Sequence, residues 1–147
     1  MDINAAVKYL DDNTEDSSTG RCALYVRRAL EAGGVDLTHH PFSAKDYGPT
    51  LLTNGFSKFF EFQQIKPPTE AADGVTVKVS HSRSTSDQQY VPKKGDVAVI
   101  QPYQGGDSNG HIAMYDGAQW VSDFKQRDMW GGPGYRKFAP SYEEYRP

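Results

Sequence analysis

The first third of the chain carries apolar residues that recur with the period of an α-helix. Five of them lie on one face of a helix predicted over 21–32: Cys22, Tyr25, Val26, Ala29 and Leu30. Gly33 follows as the expected end of this helix. A shorter helix is predicted to begin at Asp2 or Asn4 and to run through Leu10. The polar stretch between the two helices is predicted to be a loop that ends in a cap.

The central part of the chain mixes helical and extended patterns. Ser43 is placed to cap a short helix over 44–47. A further helix is predicted over 49–62, although Gly55 is unfavourable inside it. Alternating apolar and polar residues predict a strand over 75–79, and the polar run that follows, 80–89, predicts an exposed loop.

Short β-prone runs dominate the last third. Four strands are predicted, over 97–100, 112–115, 119–124 and 135–138. Asp116 and Gly117 predict a tight hairpin turn between the second and third of these strands, and the glycine-rich stretch 104–110 predicts a loop. Helices followed by antiparallel strands indicate an α+β fold, and the length of 147 residues suits a single domain over 1–147.

Composition and charge exclude several classes of function. Sixteen Lys and Arg residues against nineteen Asp and Glu residues leave a net charge of -3, so no basic surplus points to nucleic acid. No run approaches the ~20 apolar residues that span a bilayer, and the start of the chain lacks the pattern of a secretory signal. One cysteine can form neither an intrachain disulfide nor a cysteine-rich zinc site. No metal, cofactor, nucleic acid or membrane is therefore expected.

The single cysteine, Cys22, falls at the predicted start of the second helix. The positive end of a helix favours a thiolate over a thiol, and Arg21 beside it acts in the same direction. A thiolate that attacks an acyl group needs a base, usually a histidine that a third group orients. A free cysteine on an apolar stripe is also a common buried filler, so position alone leaves both interpretations open.

Four histidines compete for the role of base. His111 opens a predicted strand directly after the glycine-rich loop, which would hold its ring on a rigid element at an open edge. Asp123 lies on the next strand, across a tight turn, where it could reach the far ring nitrogen. The weaker candidates are Ser122 and Asp116 for the third group, and His39, His40 and His81 for the base.

Three features together resemble the papain-like cell-wall hydrolases of the NlpC and CHAP amidase type. They are the helix-borne cysteine within 19–34, Gly95-Asp96-Val97, and Gly110-His111-Ile112. The resemblance implies that Cys22 is the nucleophile, that His111 is the base and that Asp123 is the third group, which this family varies. It also implies a helix packed on an antiparallel sheet.

The small size and bare catalytic core also resemble the amidase effectors of type VI secretion. That resemblance implies a substrate in peptidoglycan, export by a secretion apparatus without a signal peptide, action in the periplasm of a target bacterium, and a cognate immunity protein. Gly20, Arg21 and Gly110 are expected near the substrate. Further candidates for the groove are Arg83, Arg127, Tyr103, Trp120 and Trp130.

Two other functions fit the same residues. A deamidase or transglutaminase-type toxin acting on a protein glutamine would use the same Cys-His pair. A binding module without catalysis would bury Cys22 as a small apolar side chain. The position of Cys22 relative to His111 is therefore the decisive question for the structure.

Overall fold

The computed structural model describes residues 1–65, 76–81 and 91–147; Ile65 and residues 76–81 are described by their backbone alone. Four α-helices lie in these ranges: α1 (Ile3–Asp12), α2 (Cys22–Ala32), α3 (Tyr47–Thr53) and α4 (Pro133–Phe138). Asp2 caps α1 by accepting the N–H of Ala5, as its sequence position predicts. A 3-10 turn over Ala44–Asp46 leads into α3. No helix among these residues is long and apolar enough to cross a bilayer.

The strands form one antiparallel sheet. They are β1 (Ser57–Ile65), β2 (Thr76–His81), β3 (Val97–Ile100), β4 (His111–Tyr115), β5 (Trp120–Val121) and β6 (Tyr142–Arg146). Their order across the sheet is β2-β1-β6-β3-β4-β5, so the last strand of the chain lies in the middle of the sheet. The prediction of an α+β fold with helices packed on an antiparallel sheet is confirmed.

The two faces of the sheet pack against different partners. Alternate residues of a strand point to opposite faces. Val97, Val99, Ile112 and Met114 join α1 and α2 in the main core, together with Val26 and Leu30 from the apolar stripe. Ala98, Ala113 and Trp120 form a smaller cluster on the other face, packed against Met129. The glycine-rich and polar segment that precedes and includes α4 therefore covers the face opposite to the helices α1 and α2.

Asp96 holds the start of β3 to the end of β6. Its carboxylate is fully buried and accepts two hydrogen bonds from Arg146, each 2.8 Å long, and one from the N–H of Lys93. A buried charge needs such pairing to offset the loss of water. Asp96 therefore braces the sheet.

Several sequence predictions differ from the structure. The fourth predicted strand, 135–138, is instead helix α4, because Pro133 provides a favourable first turn. The helix predicted over 49–62 ends at Thr53, and Ser57 begins β1. Strand β6 had no sequence prediction. In the 75–89 region, β2 confirms a strand and includes Ser80 and His81, while Val75 and 82–89 lie outside the described residues.

Candidate active site

Cys22 is the first residue of α2, and its sulfur lies against the start of β4. The backbone N–H of Ile112 donates a hydrogen bond to this sulfur. Strand β5 pairs with β4 at Met114 and Tyr115, so among the described residues no strand pairs with the outer edge of β4 at His111 and Ile112. The start of α2 occupies that open edge. The start of α2 therefore lies against the start of β4, and the Cys22 sulfur contacts Ile112, the residue that follows His111.

The ring of His111 is held by a residue that the sequence did not indicate. Its Nε2 lies 2.7 Å from Oε1 of Gln126, and both side chains are buried. The amide nitrogen of Gln126 donates to the carbonyl oxygens of Asp128 and Met129. Because both amide hydrogens are used in this way, Oε1 must face the ring and accept from Nε2–H. The neutral ring then carries its lone pair on Nδ1, where it can accept a proton.

Asp123 does not occupy the position that sequence analysis expected. Oδ2 of Asp123 accepts hydrogen bonds from the N–H and hydroxyl of Thr19 and from the N–H of Arg21. Oδ1 accepts from the hydroxyl of Ser122. The carboxylate thus holds the loop that enters α2, a region in which no local side chain caps the helix. The prediction that Asp123 contacts the far nitrogen of His111 is wrong because these donors take its oxygens, and Gln126 occupies that site.

Burial favours the neutral forms of the Cys22 and His111 side chains. Burial raises the pKa of the Cys22 thiol to about 11, and the N–H groups of Ile112 and Ala23 only partly oppose it. The expectation that the helix start makes Cys22 a ready thiolate is therefore wrong for this conformation. Burial also lowers the pKa of His111, against the raising effect of Gln126. Burial raises the pKa of Asp123 as well, but its hydrogen bonds outweigh burial and leave that pKa below its usual range.

The segment between Gln126 and α4 encloses the His111 ring. Gly131 passes so close that a Cβ there would lie 2.6 Å from Nε2 of His111. Tyr135, on α4, approaches the same ring with 5.6 Å between centroids. Tyr103 packs edge-on against Tyr135 at 4.9 Å and so links the glycine-rich loop to α4. Gln126 and Tyr135 were missed by sequence reasoning. The glycines around Tyr135, in Trp-Gly-Gly-Pro-Gly-Tyr, were the one available signal of a close approach.

The residues expected near the substrate, Gly20, Arg21 and Gly110, have two kinds of surroundings. Gly20 and Arg21 are exposed directly before Cys22, and the space beside Gly20 is open. Gly110 is buried, and a Cβ there would lie 2.4 Å from the carbonyl oxygen of Ile100, so its place is set by packing. Arg127 is exposed, and Arg83 lies outside the described residues.

The remaining sequence candidates concern the groove, the base and the third group. Trp120 is buried in the smaller cluster, and Trp130 packs edge-on against Tyr142. His39 and His40 are exposed in the loop after α2, and the side chain of His81 lies outside the described part of the structure. Asp116 accepts N–H groups within its own hairpin turn. Within the described residues, no group of three or more His, Cys, Asp or Glu side chains lies together as metal ligands would.

Comparison with known proteins gives a consistent set of relatives among solved structures. No protein-family profile matches the chain, and no curated protein does. The crystal structure of the native type VI effector–immunity complex Tae3–Tai3 from Ralstonia pickettii matches with 39% identity and a TM-score of 0.71, covering 99% of this chain and 98% of the other. The selenomethionine form of that complex matches with 40% identity and a TM-score of 0.70, covering 97% and 99%. Such identity over nearly the whole of both chains shows that the protein belongs to the Tae3 family of type VI effectors.

Proposed function

We propose that this protein is an antibacterial type VI effector that hydrolyses an amide bond in the stem peptides or crosslinks of peptidoglycan. Cys22 is the nucleophile, and His111 is the general base. The observation that carries the proposal is the hydrogen bond from the N–H of Ile112 to the Cys22 sulfur, which brings the thiol to the residue beside His111. A helix-start cysteine beside a strand-start histidine is the arrangement expected of a papain-like hydrolase.

The reaction begins from a neutral pair. Nδ1 of His111 takes the thiol proton as the sulfur attacks the substrate carbonyl carbon, since neither side chain is charged beforehand. The imidazolium returns that proton to the departing amine, which leaves a thioester on Cys22. A water molecule, deprotonated by His111, then attacks the thioester and releases the acid. Gln126 acts as a positioning residue because it accepts from Nε2–H throughout.

The start of α2 supplies the first stabilising group for the oxyanion. No oxygen atom of the described residues accepts the N–H of Cys22, so this donor is free for the substrate. Preorganised donors of this kind stabilise developing negative charge without reorganisation. Asp123 contributes indirectly by fixing Thr19 and Arg21, the residues that set the entry into the helix.

The compartment and the partners follow from the family. Peptidoglycan lies in the periplasm of a target bacterium, so the protein acts there after delivery by the secretion apparatus. The solved relatives are complexes of an effector with an immunity protein. A cognate immunity protein that shields the producing cell is therefore the expected partner.

Digestion of purified sacculi tests the proposal. We expect the wild-type protein to release shortened muropeptides, which mass spectrometry identifies. Cys22→Ala should abolish the release, and His111→Ala should lower its rate by ~10³-fold because the base is lost. His40→Ala is the matched control, since His40 is an exposed histidine in a loop, and its activity should equal that of the wild type.

Two outcomes would contradict the proposal. Activity retained by Cys22→Ala would exclude Cys22 as the nucleophile. Sacculi left intact while a protein glutamine is converted to glutamate would indicate a deamidase with the same pair of residues. Circular dichroism of each variant separates lost chemistry from lost folding.

A further inference from the structure

Tyr135 is a polar side chain at the site that the mechanism above does not use. Its ring lies 5.6 Å from that of His111, between centroids, and packs edge-on against Tyr103. Tyr103 in turn stacks on Phe138 at 5.0 Å, so Phe138 supports the ring that packs against Tyr135. Two side chains of α4, Tyr135 and Phe138, thus fix the position of this helix over the histidine.

The hydroxyl of Tyr135 belongs to a ring that packs on His111, within electrostatic reach of Cys22. It lies close enough to the sulfur for a negative charge there to raise the pKa of the phenol, in addition to the larger effect of burial. Among the described residues, no group is hydrogen-bonded to this hydroxyl. The hydroxyl of this half-buried side chain is therefore available to donate a hydrogen bond to a substrate oxygen. The raised pKa means that the group stays protonated, so it can act as a donor and not as a base.

The segment that carries Tyr135 has glycines at the points where it packs closely against its neighbours. Gly131 lies against His111 and Gln126, and Gly134 lies against the hydroxyl of Tyr103. Arg136 anchors α4 through an ion pair of 2.6 Å with Asp128, whose own backbone carbonyl accepts a hydrogen bond from the amide of Gln126. The same short segment therefore positions both the histidine partner and the tyrosine hydroxyl.

We propose that Tyr135 is a further catalytic residue, whose hydroxyl donates a hydrogen bond to the oxyanion formed when Cys22 attacks the substrate carbonyl. This inference rests on the proposed function. As the C–S bond forms, the π pair of the carbonyl moves to oxygen, and the oxyanion accepts from the Cys22 N–H and from the Tyr135 O–H. When the tetrahedral intermediate collapses, the pair returns, the C–N bond breaks, and the amine leaves with the proton from His111. Tyr135 keeps its own proton throughout.

The test replaces only the hydroxyl. Tyr135→Phe keeps the ring contacts with Tyr103 and His111, and we expect kcat/KM on crosslinked muropeptides to fall by ~10²-fold, mainly through kcat. Alkylation of Cys22 by iodoacetamide forms no oxyanion, so its rate and pH dependence should match those of the wild type. Tyr115→Phe is the control, since it removes the hydroxyl of a tyrosine at the other end of β4 from His111, and its kcat should stay within ~3-fold of the wild-type value.

Three results would overturn the inference. A kcat/KM of Tyr135→Phe within ~3-fold of the wild-type value would show that the hydroxyl has no part in the chemistry. An equal loss of hydrolysis and of alkylation would show that Tyr135 acts on the Cys-His pair and not on the oxyanion. A wild-type protein that cleaves no muropeptide would overturn the proposed function itself, a result distinct from either of the first two.

Discussion

At the scale of single residues, the environment of His111 decides its chemistry. The ring is 8% exposed, and its Nε2 has one partner, the amide oxygen of Gln126. An amide orients the ring without adding charge, whereas a carboxylate at the same place would also stabilise the imidazolium. Burial therefore dominates, and the pKa of His111 falls below its usual 6.5.

The pH dependence of hydrolysis follows from this environment. A base acts only when it is unprotonated, so kcat/KM should fall at acidic pH as His111 gains its proton, below pH 6.5 for the wild type. Gln126→Glu places a carboxylate on Nε2 and raises the pKa, so we expect this acidic limb to move to higher pH by ~1 unit or more. The pH profiles of kcat/KM for the two proteins measure the shift.

An uncharged substitution at Gln126 separates the effect of charge on the His111 pKa from the effect of ring orientation. Gln126→Ala removes the acceptor without adding charge, so its activity should fall at every pH because the ring loses its preferred tautomer. Identical pH profiles for the wild type and Gln126→Glu would contradict the contact between Gln126 and His111.

At the scale of elements, the segment from β5 to α4 completes the site. Gln126 of this segment contacts the ring of His111, and Gly131 leaves no room for a Cβ beside the ring. The backbone of Gly131 has a φ of +79°, in the left-handed region that favours glycine. Both the space and the backbone therefore require glycine there.

We expect Gly131→Ala to remove activity beyond its effect on stability. The new Cβ would lie 2.6 Å from Nε2 of His111 and must displace the ring or Gln126. Gly55→Ala is the matched control, because Gly55 has a φ of +91° and open space beside it. Each variant should lose ~1 kcal/mol of unfolding free energy from backbone strain.

Denaturation curves and muropeptide assays at matched concentrations separate the two effects. Only Gly131→Ala should lose hydrolysis in the folded state. Equal activity of the two folded variants would show that the segment does not position His111.

At the scale of the whole molecule, two carboxylates join α1 to the turn between β4 and β5. Asp11 lies on the last turn of α1, and its carboxyl group is hydrogen-bonded to that of Asp116. Burial raises the pKa of Asp11 from 3.8 to about 6, and the nearby Asp116 adds to this effect. Lys125 opposes the shift. Two carboxylates this close share a proton more readily than they both ionise.

The stability of the fold should therefore fall as pH rises past this value. A raised pKa in the folded state gives stability that is fully present below pH 3.8 and is lost as pH passes about 6. Because Asp11 is partly exposed, we expect Asp11→Asn to gain ~1 kcal/mol at neutral pH and to raise Tm by ~3 °C. Thermal melts at acidic and neutral pH measure this gain.

The neighbouring acidic run provides the control. Asp16 is exposed in the same part of the chain, and Asp16→Asn should change Tm little at either pH. A Tm of Asp11→Asn below that of the wild type at neutral pH would contradict the shared proton.

The sequence alone determined the features that depend on neighbours along the chain. The apolar period predicted α2 with Cys22 at its start, and short β-prone runs predicted β3 and β4 with His111 at the strand edge. These signals are local, since helix and strand periods act over a few residues. The prediction of an α+β fold and the motifs that resemble the papain-like hydrolases follow from them.

The tertiary structure alone decided which groups meet. Asp123 was the polar residue that strand order favoured, but its oxygens are taken by Thr19 and Arg21, which are more than a hundred positions earlier. Gln126 reaches His111 because its loop folds back over the ring, and Tyr135 arrives on a helix where a strand was predicted. The pKa of Cys22 likewise depends on how much of the fold covers it. Burial and contacts across the chain have no local pattern, so only the folded molecule could assign these roles.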